Sequence, residues 1–249
     1  MLATIYIMWL REIKKFLRSP SRIIGALGQP IFYLIALGYG LGAVFQAAGR
    51  GNYIEFLAPG IIGMSIIFSS IFNGMAVIWD RQFGFLKETM VAPVPRFAIM
   101  FGRTLGGATV ATFQGCIVLG LTFIFGFHPY SWTLIIPAIC IMLLVAMLFS
   151  SMGLMVGSLL SDMQGFQLIM NFLVMPMFFL SGSLFPLQGI PTLLSAVAHI
   201  DPLSYGVDAM RTLLIHVSAF GLPLDISVLS VITLIFLGLG SYFFSRIQI

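Results

Sequence analysis

The sequence predicts an all-α membrane protein with six transmembrane helices and both termini in the cytoplasm. Of its 249 residues, 59% are hydrophobic and only 8% are charged, whereas soluble domains carry about 25% charged residues. The apolar residues form runs of roughly 20, the length of a helix that crosses the hydrocarbon core, and barrel strands do not give such runs. Ten of the twelve Lys and Arg residues fall on the amino-terminal side of the predicted membrane, and this asymmetry marks the cytoplasmic side.

The first 20 residues predict a helix that lies in the membrane surface. Apolar residues, Trp9 among them, recur at helical spacing, and four basic residues interleave with them: Arg11, Lys14, Lys15 and Arg18. This pattern is typical of a basic amphipathic interfacial helix. The alternative is that the segment is the polar end of the first span.

A single transmembrane domain over 1–249 is expected. Its predicted spans are 23–45, 56–79, 104–127, 132–159, 165–184 and 225–244. Segment 80–103 holds six of the twenty charges, so we expect it in the cytoplasm, exposed to water or in a partner's groove. Segment 185–224 is too polar for a span and too apolar for a solvated loop, which predicts short re-entrant helices on the outer side.

Several kinds of chemistry are not expected from this sequence. It contains no GxxxxGK[ST] phosphate-binding pattern, no clustered metal ligands and no catalytic signature, so we expect neither an enzyme nor a cofactor or metal on this chain. The net charge of +4 reflects membrane orientation rather than nucleic-acid binding. Acids fall at predicted loop positions, which disfavours an ion-coupled carrier: Asp80, Glu88, Asp162, Asp201, Asp208 and Asp225. Any energy for transport is therefore expected from another polypeptide.

Two segments carry a resemblance to a known family. RQFGFLKETMVAPVPR follows the second span, and FLSGSLFPLQGIPTLLSAVAHIDPLSYGVDAMR follows the fifth. With the six spans, they resemble the membrane subunit of type-2 ABC transporters, the permease class of bacterial drug-resistance, nodulation-factor and polysaccharide exporters. The resemblance covers essentially the whole chain.

The resemblance implies a short coupling helix, about 83–91, that docks into an ABC ATPase subunit present in two copies, which binds the ATP and Mg. The implied coupling residues are Arg81, Gly84, Lys87, Glu88 and Pro93. The amino-terminal helix would be the connecting helix that also touches the ATPase. The alternative for the coupling segment is an ordinary solvated loop.

The resemblance also implies an outer gate and a transport path. The gate residues would be Gly182, Pro186, Pro202 and Tyr205. The alternative is that these residues only begin, bend or end helices. The path would lie between two permease copies, identical or sibling, and be lined by the second and fifth spans: Phe68, Phe72, Met75, Met175, Phe178 and Phe179. Lipid-facing or packing roles are the alternative for these six side chains.

The expected function is export of an amphipathic drug-like or lipid-like substrate across the cytoplasmic (inner) membrane. Phe outnumbers Tyr and Trp (24, 7 and 3 residues), and Phe lacks a polar group for sugars, which favours an apolar cargo. Two alternatives stay open: a polysaccharide or glycolipid exporter of the same class, and an ion-coupled secondary transporter.

Overall fold

All regular structure in the described part of the chain is helical. The computed structural model describes residues 1–48, 51–85, 94–187 and 191–246, and these ranges contain eleven α-helices and no strand. The helices are α1 Leu2–Leu17, α2 Pro20–Gly40, α3 Gly42–Ala47, α4 Tyr53–Phe72, α5 Met75–Gln82, α6 Arg96–Ile124, α7 Ile135–Leu159, α8 Met163–Leu180, α9 Thr192–Ile200, α10 Pro202–Ile215 and α11 Leu222–Ser245.

Six helical segments within the described ranges are long and apolar enough to cross a membrane, which confirms the predicted number. They are Ile23–Gly40, Tyr53–Gln82, Arg96–Ile124, Trp132–Leu159, Met163–Leu180 and Leu222–Ser245. The second comprises α4 and α5, which meet at a break at Asn73 and Gly74.

The predicted polar segment 80–103 was too long at both ends. Asp80 lies in the last turn of α5, and Arg103 lies in the third turn of α6. Asp80 is 5% exposed and Arg103 is 1% exposed, so neither lies in water. The two side chains form an ion pair, and this pairing lets both helices continue through positions that looked like loop in the sequence.

Two further boundaries differ from the prediction. The fifth span, predicted to reach residue 184, ends at Leu180, because the backbone turns into the left-handed region at Gly182 (φ +74°). The last span begins at Leu222 rather than 225, so Asp225 lies in its first turn and is buried. Asp208, also predicted to lie in a loop, is buried within α10.

Helix α4 forms the centre of the bundle. Most of its residues are buried, and it packs against α6, α7, α2 and α10. Glycines bring α5 and α7 into backbone contact, because a Cβ at Gly74 would clash with the carbonyl of Gly153, and one at Gly157 would clash with the carbonyl of Gly74. The backbone at the break between α4 and α5 therefore contacts the backbone of α7 directly.

The bundle has two ends, which we call the Asp80 end and the Asp208 end. At the Asp80 end, Gln82 Nε2 donates to the carbonyl of Ser161 at 3.2 Å, which joins the last residue of α5 to the turn after α7. At the Asp208 end, the Tyr53 hydroxyl donates to the carbonyl of Leu184 at 2.9 Å. The Tyr130 backbone N–H donates to the carbonyl of Leu214 at 2.8 Å at the same end.

The predicted amino-terminal helix is present as α1 and packs along α6. Trp9 Nε1 donates to Thr109 Oγ1 at 3.0 Å, and Gly106 leaves room for the side chain of Glu12. The side chains that α1 buries are Glu12 and Phe16, whereas Leu17 is 62% exposed. Its position in a membrane surface stays a prediction.

Candidate functional site: an ion cluster and two cavities at the Asp80 end

An ion cluster joins three helices at the Asp80 end. Arg11 of α1 donates from Nη2 to both carboxylate oxygens of Asp80 at 3.0 Å. Arg103 of α6 donates from Nη2 to Oδ2 of the same carboxylate. Asp80 thus fixes the last turn of α5 to α1 and α6.

Arg103 makes this cluster costly to disturb. Its Nε and Nη1 atoms are buried and have no hydrogen-bond partner among the described residues. A buried cation with one counter-charge depends strongly on that counter-charge. Arg11 is different, because its side chain remains 36% exposed.

A cavity of about 730 Å³ opens beside the cluster, and we call it the Asp80 cavity. Two basic side chains, Arg11 and Lys15, stand together with Asp80 and Asn73 on its lining. The remaining lining residues are apolar: Phe72, Met75, Ala76, Trp79, Phe83 and Phe85. The cavity therefore combines a mainly aromatic and apolar lining with two basic side chains.

A second cavity of about 410 Å³, the inner cavity, continues along α4. Phe72 lines both cavities, so its ring lies between them. The inner cavity also contains polar side chains within membrane-spanning helices, namely Gln29 of α2, Ser65 and Ser69 of α4 and Gln114 of α6. Its remaining lining residues are Gly25, Ala26, Pro30, Met64 and Phe68.

The structure separates the two halves of the predicted path. Phe68, Phe72 and Met75 line these cavities. Met175, Phe178 and Phe179 of α8 are not among the described lining residues of either one. Phe178 is fully buried and packs edge-on against Tyr33 with ring centroids 6.1 Å apart, whereas Phe179 is 43% exposed. Their role in a path stays a prediction.

The predicted coupling residues begin where α5 ends. Arg81 is exposed in its last turn, and Gly84 adopts φ +79° just beyond it. Lys87, Glu88 and Pro93 lie outside the described residues, as does most of the predicted helix 83–91. Their roles stay predictions.

The predicted gate residues lie at the Asp208 end. Pro202 starts α10, and the Tyr205 hydroxyl donates to the carbonyl of His199 at 2.7 Å, which closes the turn between α9 and α10. Gly182 offers its carbonyl to Arg211 at 3.1 Å. Pro186 lines a separate cavity of about 380 Å³ together with Asp208 and Arg211. Whether these residues gate transport stays a prediction.

Two residues of α10 organise this end, and the residue-level predictions did not include them. The Asp208 carboxylate accepts hydrogen bonds from the backbone N–H groups of Ala219 (2.8 Å) and Phe220 (2.9 Å) and from Ser218 Oγ (3.2 Å). Arg211 donates to the carbonyls of Gly182 and Phe56 (3.3 Å) and lies 4.0 Å over the Phe56 ring. The available signal was an acid and a base three residues apart in an apolar segment, a spacing that puts both on one helix face.

Burial shifts the protonation of groups at the Asp208 end. It raises the pKa of the Asp201 carboxyl to about 7, and the hydrogen bond from the Leu203 backbone N–H opposes part of that rise. Burial also lowers the pKa of Arg211 to about 10, while the neighbouring Asp208 carboxylate acts in the opposite direction. Arg211 therefore remains a cation at neutral pH, whereas Asp201 titrates close to it.

Comparison with known proteins decides the family. The model of the family described as "ABC-2 type transporter" matches residues 3–215. The chain belongs to the ABC-2 type transporter family. This permease is 27% identical over 207 residues to the inner membrane transport permease YadH of Escherichia coli (strain K12), which covers 82% of this chain and 80% of that protein.

Other relatives also match over most of their length. The permease is 25% identical over 238 residues to nodulation protein J of Sinorhizobium fredii, covering 94% of this chain and 90% of the relative. It is 26% identical over 208 residues to the putative transport permease ycf38 of Cyanophora paradoxa, covering 81% and 70%. With six apolar helices, the chain is a multi-pass membrane protein and a membrane permease of an ABC transporter.

Proposed function

We propose that this permease is the membrane-spanning subunit of an ATP-driven exporter in the inner membrane, powered by a separate ATPase subunit. The observation that carries the proposal is the Asp80 cluster. It ties the end of α5 to α6 and α1. Residues 83–95 connect α5 to α6, so the ion pair of Asp80 and Arg103 links the two helices that flank this segment.

Such an arrangement suits mechanical coupling. Two ATPase subunits, carrying ATP and Mg, would dock on residues 83–91 and move them when they close. Because Asp80 fixes the start of this segment to two other helices, a displacement would move α5, α6 and α1 together rather than bend a loop. Packed elements of this kind transmit rigid-body shifts.

The proposed cargo is an amphipathic drug-like or lipid-like molecule that passes between two permease copies, either identical or sibling. The Asp80 cavity and the inner cavity support this, since they place the aromatic side chains of α4 beside isolated polar groups. Binding pockets for small organic ligands are usually about 300–1,000 Å³ and mainly apolar with a few polar groups.

The orientation in the proposal puts both termini and the Asp80 end in the cytoplasm. Helices α9 and α10 would then form the re-entrant outer segment, with Gly182, Pro186, Pro202 and Tyr205 at the gate. Fusing a reporter that is active only in the cytoplasm to each terminus measures this directly. Activity at both termini is expected, and inactivity at either one contradicts the orientation.

The first test is purification of the tagged permease from its native membrane in mild detergent, together with any ABC ATPase subunit that it retains. We expect a complex of two permease chains and two ATPase chains with nucleotide hydrolysis. Glu88→Arg should dissociate or uncouple it. Glu55→Arg is the matched control, because Glu55 lies at the Asp208 end and its reversal should leave the complex intact. A lone chain without any hydrolysing partner contradicts the proposal and favours an ion-coupled carrier.

A second test addresses the path. Phe72→Ala should reduce export of an amphipathic dye without lowering membrane abundance, because the ring lies between the two cavities. Phe179→Ala tests the α8 half in the same assay. Phe172→Ala is the control, since this α8 side chain is 84% exposed and should be neutral. Unchanged export by Phe72→Ala would remove that residue from the path.

A further inference from the structure

The surroundings of the Asp80 cavity carry an excess of positive charge. Helix α1 contributes Arg11, Lys14 and Lys15, Arg18 follows directly at its carboxyl end, and α6 contributes Arg103. Among the described residues of α1, α5 and α6 the carboxylates are Asp80 and Glu12, both buried, so the five cations outnumber them by three. A groove of about 600 Å³ adjoins the cavity and shares Arg11 and Lys15 with it; its lining residues are Ile7, Leu10, Arg11, Lys14, Lys15, Arg18 and Ser19.

Most of the other residues that line the cavity are aromatic or apolar. Trp79 and Phe83 stack with ring centroids 5.1 Å apart, and they are 46% and 60% exposed. Phe72 and Met75 continue the apolar lining toward the inner cavity. Exposed aromatic groups beside a row of cations match a ligand with an apolar chain and an anionic head.

We propose that the Asp80 cavity binds one acidic phospholipid of the surrounding bilayer. One of its two acyl chains would lie along Phe72, Met75 and Trp79, and its phosphate would be held between Lys15 and the exposed part of Arg11. Asp80 does not repel the phosphate, because its charge is offset by both Arg11 and Arg103. The cavity, of about 730 Å³, would take the headgroup and part of one acyl chain, and the second chain would stay in the bilayer.

This inference rests on the proposed function only in one respect. If the permease is an exporter, an anionic amphiphile is the class of molecule that it binds at its Asp80 end. Binding itself needs neither an ATPase nor transport. A binding measurement on the isolated permease can therefore fail while the complex with the ATPase still forms, and the reverse also holds.

Trp79 offers a direct reporter. The chain has three tryptophans, and the Trp9→Phe/Trp132→Phe variant leaves only the one that lines the cavity. In mixed micelles this variant is titrated with phosphatidylglycerol carrying brominated acyl chains, which quench indole fluorescence on contact, and separately with brominated phosphatidylcholine. We expect half-maximal quenching at an about fivefold lower mole fraction of phosphatidylglycerol. This ratio corresponds to roughly 1 kcal/mol for one basic residue, Lys15, near an anionic headgroup, because Arg11 is already paired with Asp80.

Two lysines on the same helix provide the matched pair. Lys15 lines the cavity, whereas Lys14 lines only the adjoining groove; both are exposed. Lys15→Gln should remove most of the preference for phosphatidylglycerol, and Lys14→Gln should keep it. Native mass spectrometry should show one more retained phosphatidylglycerol per chain for Lys14→Gln than for Lys15→Gln, and an unchanged elution volume verifies that both variants are folded.

Three outcomes overturn the proposal. Equal quenching by the two lipids would mean a crevice that selects only for apolar chains. Equal effects of Lys14→Gln and Lys15→Gln would mean a diffuse attraction of α1 to an acidic surface. Absence of quenching by either lipid, with the Trp79 emission shifting only when the ATPase subunit is added, would assign this face to the protein partner.

Discussion

Arg103 and Arg211 are both buried, at opposite ends of the bundle, and their surroundings differ in kind. Arg103 is held by the carboxylate of Asp80, which it shares with Arg11, so side-chain charges join three helices at this point. Arg211 donates to two backbone carbonyls and lies over the ring of Phe56. The acid near it, Asp208, is occupied by the backbone and side-chain donors of residues 218–220.

The two kinds of contact suit the two ends to different tasks. A cluster of side-chain charges links elements that keep their own regular hydrogen bonds, so the links can shift without unfolding a helix. Side chains that satisfy carbonyls and N–H groups of irregular backbone are part of the local fold itself, because those groups are costly to leave unpaired. The Asp80 end is thus suited to transmitting motion, and the Asp208 end to holding an irregular segment in shape.

The largest expected effect is at the Asp80 cluster. Asp80→Asn removes the only counter-charge of Arg103 among the described residues, and the loss of one partner from a buried pair costs about 3–5 kcal/mol. Thermal unfolding in detergent should show a large decrease in stability. Arg103→Met is the control, since Asp80 would retain both hydrogen bonds from Arg11; equal losses for the two variants would contradict this view of the cluster.

A smaller effect is expected at Asp208. Asp208→Ala leaves two backbone N–H groups and one hydroxyl without their acceptor, at a cost of about 1–3 kcal/mol. Proteolysis should cut first at residues 216–221, because the hydrogen bonds to Asp208 hold the chain there. Ser218→Ala removes one of the three hydrogen bonds and should change the rate of cleavage only slightly. If Asp208→Ala is as resistant to proteolysis as the wild type, Asp208 does not hold this segment.

The smallest effect concerns pH and Asp201. Its pKa is raised by burial to about 7, so the folded state takes up a proton as pH falls through 7, and stability rises. Between pH 8 and pH 6.5 this gain is about 1 kcal/mol. Asp201→Asn retains an acceptor for the cap on the Leu203 N–H and should lose this gain. Unfolding curves at both pH values, compared between the two proteins, measure it; identical pH slopes would contradict the assignment.

Much of the architecture was predictable because it depends on local composition. Six apolar runs predicted six spans, and the segment rich in Pro and Gly predicted short helices where α9 and α10 lie. The boundary errors at Asp80, Arg103 and Asp225 share one cause: a charge in the sequence was treated as exposed to water. Burial of Asp80 and Arg103 depends on their pairing across 23 residues, which no local pattern records.

The candidate site was only half predictable for the same reason. The face of α4 that carries Phe68 and Phe72 follows from helical spacing, and both rings line cavities. Gln29 and Gln114 lie 85 positions apart and meet in the inner cavity only because α2 and α6 flank α4. The α8 residues fit the same apolar pattern, yet Phe178 is fully buried.

The sequence by itself determined that this chain is a membrane protein with six spans, because the length and hydropathy of each run decide whether it enters a bilayer. It also carried the resemblance to the permease family in segments of contiguous residues. Only the tertiary structure decided which charges are buried and paired, and where aromatic and basic side chains enclose a cavity. Those properties depend on distances between residues far apart in the chain, and packing of the helices sets these distances.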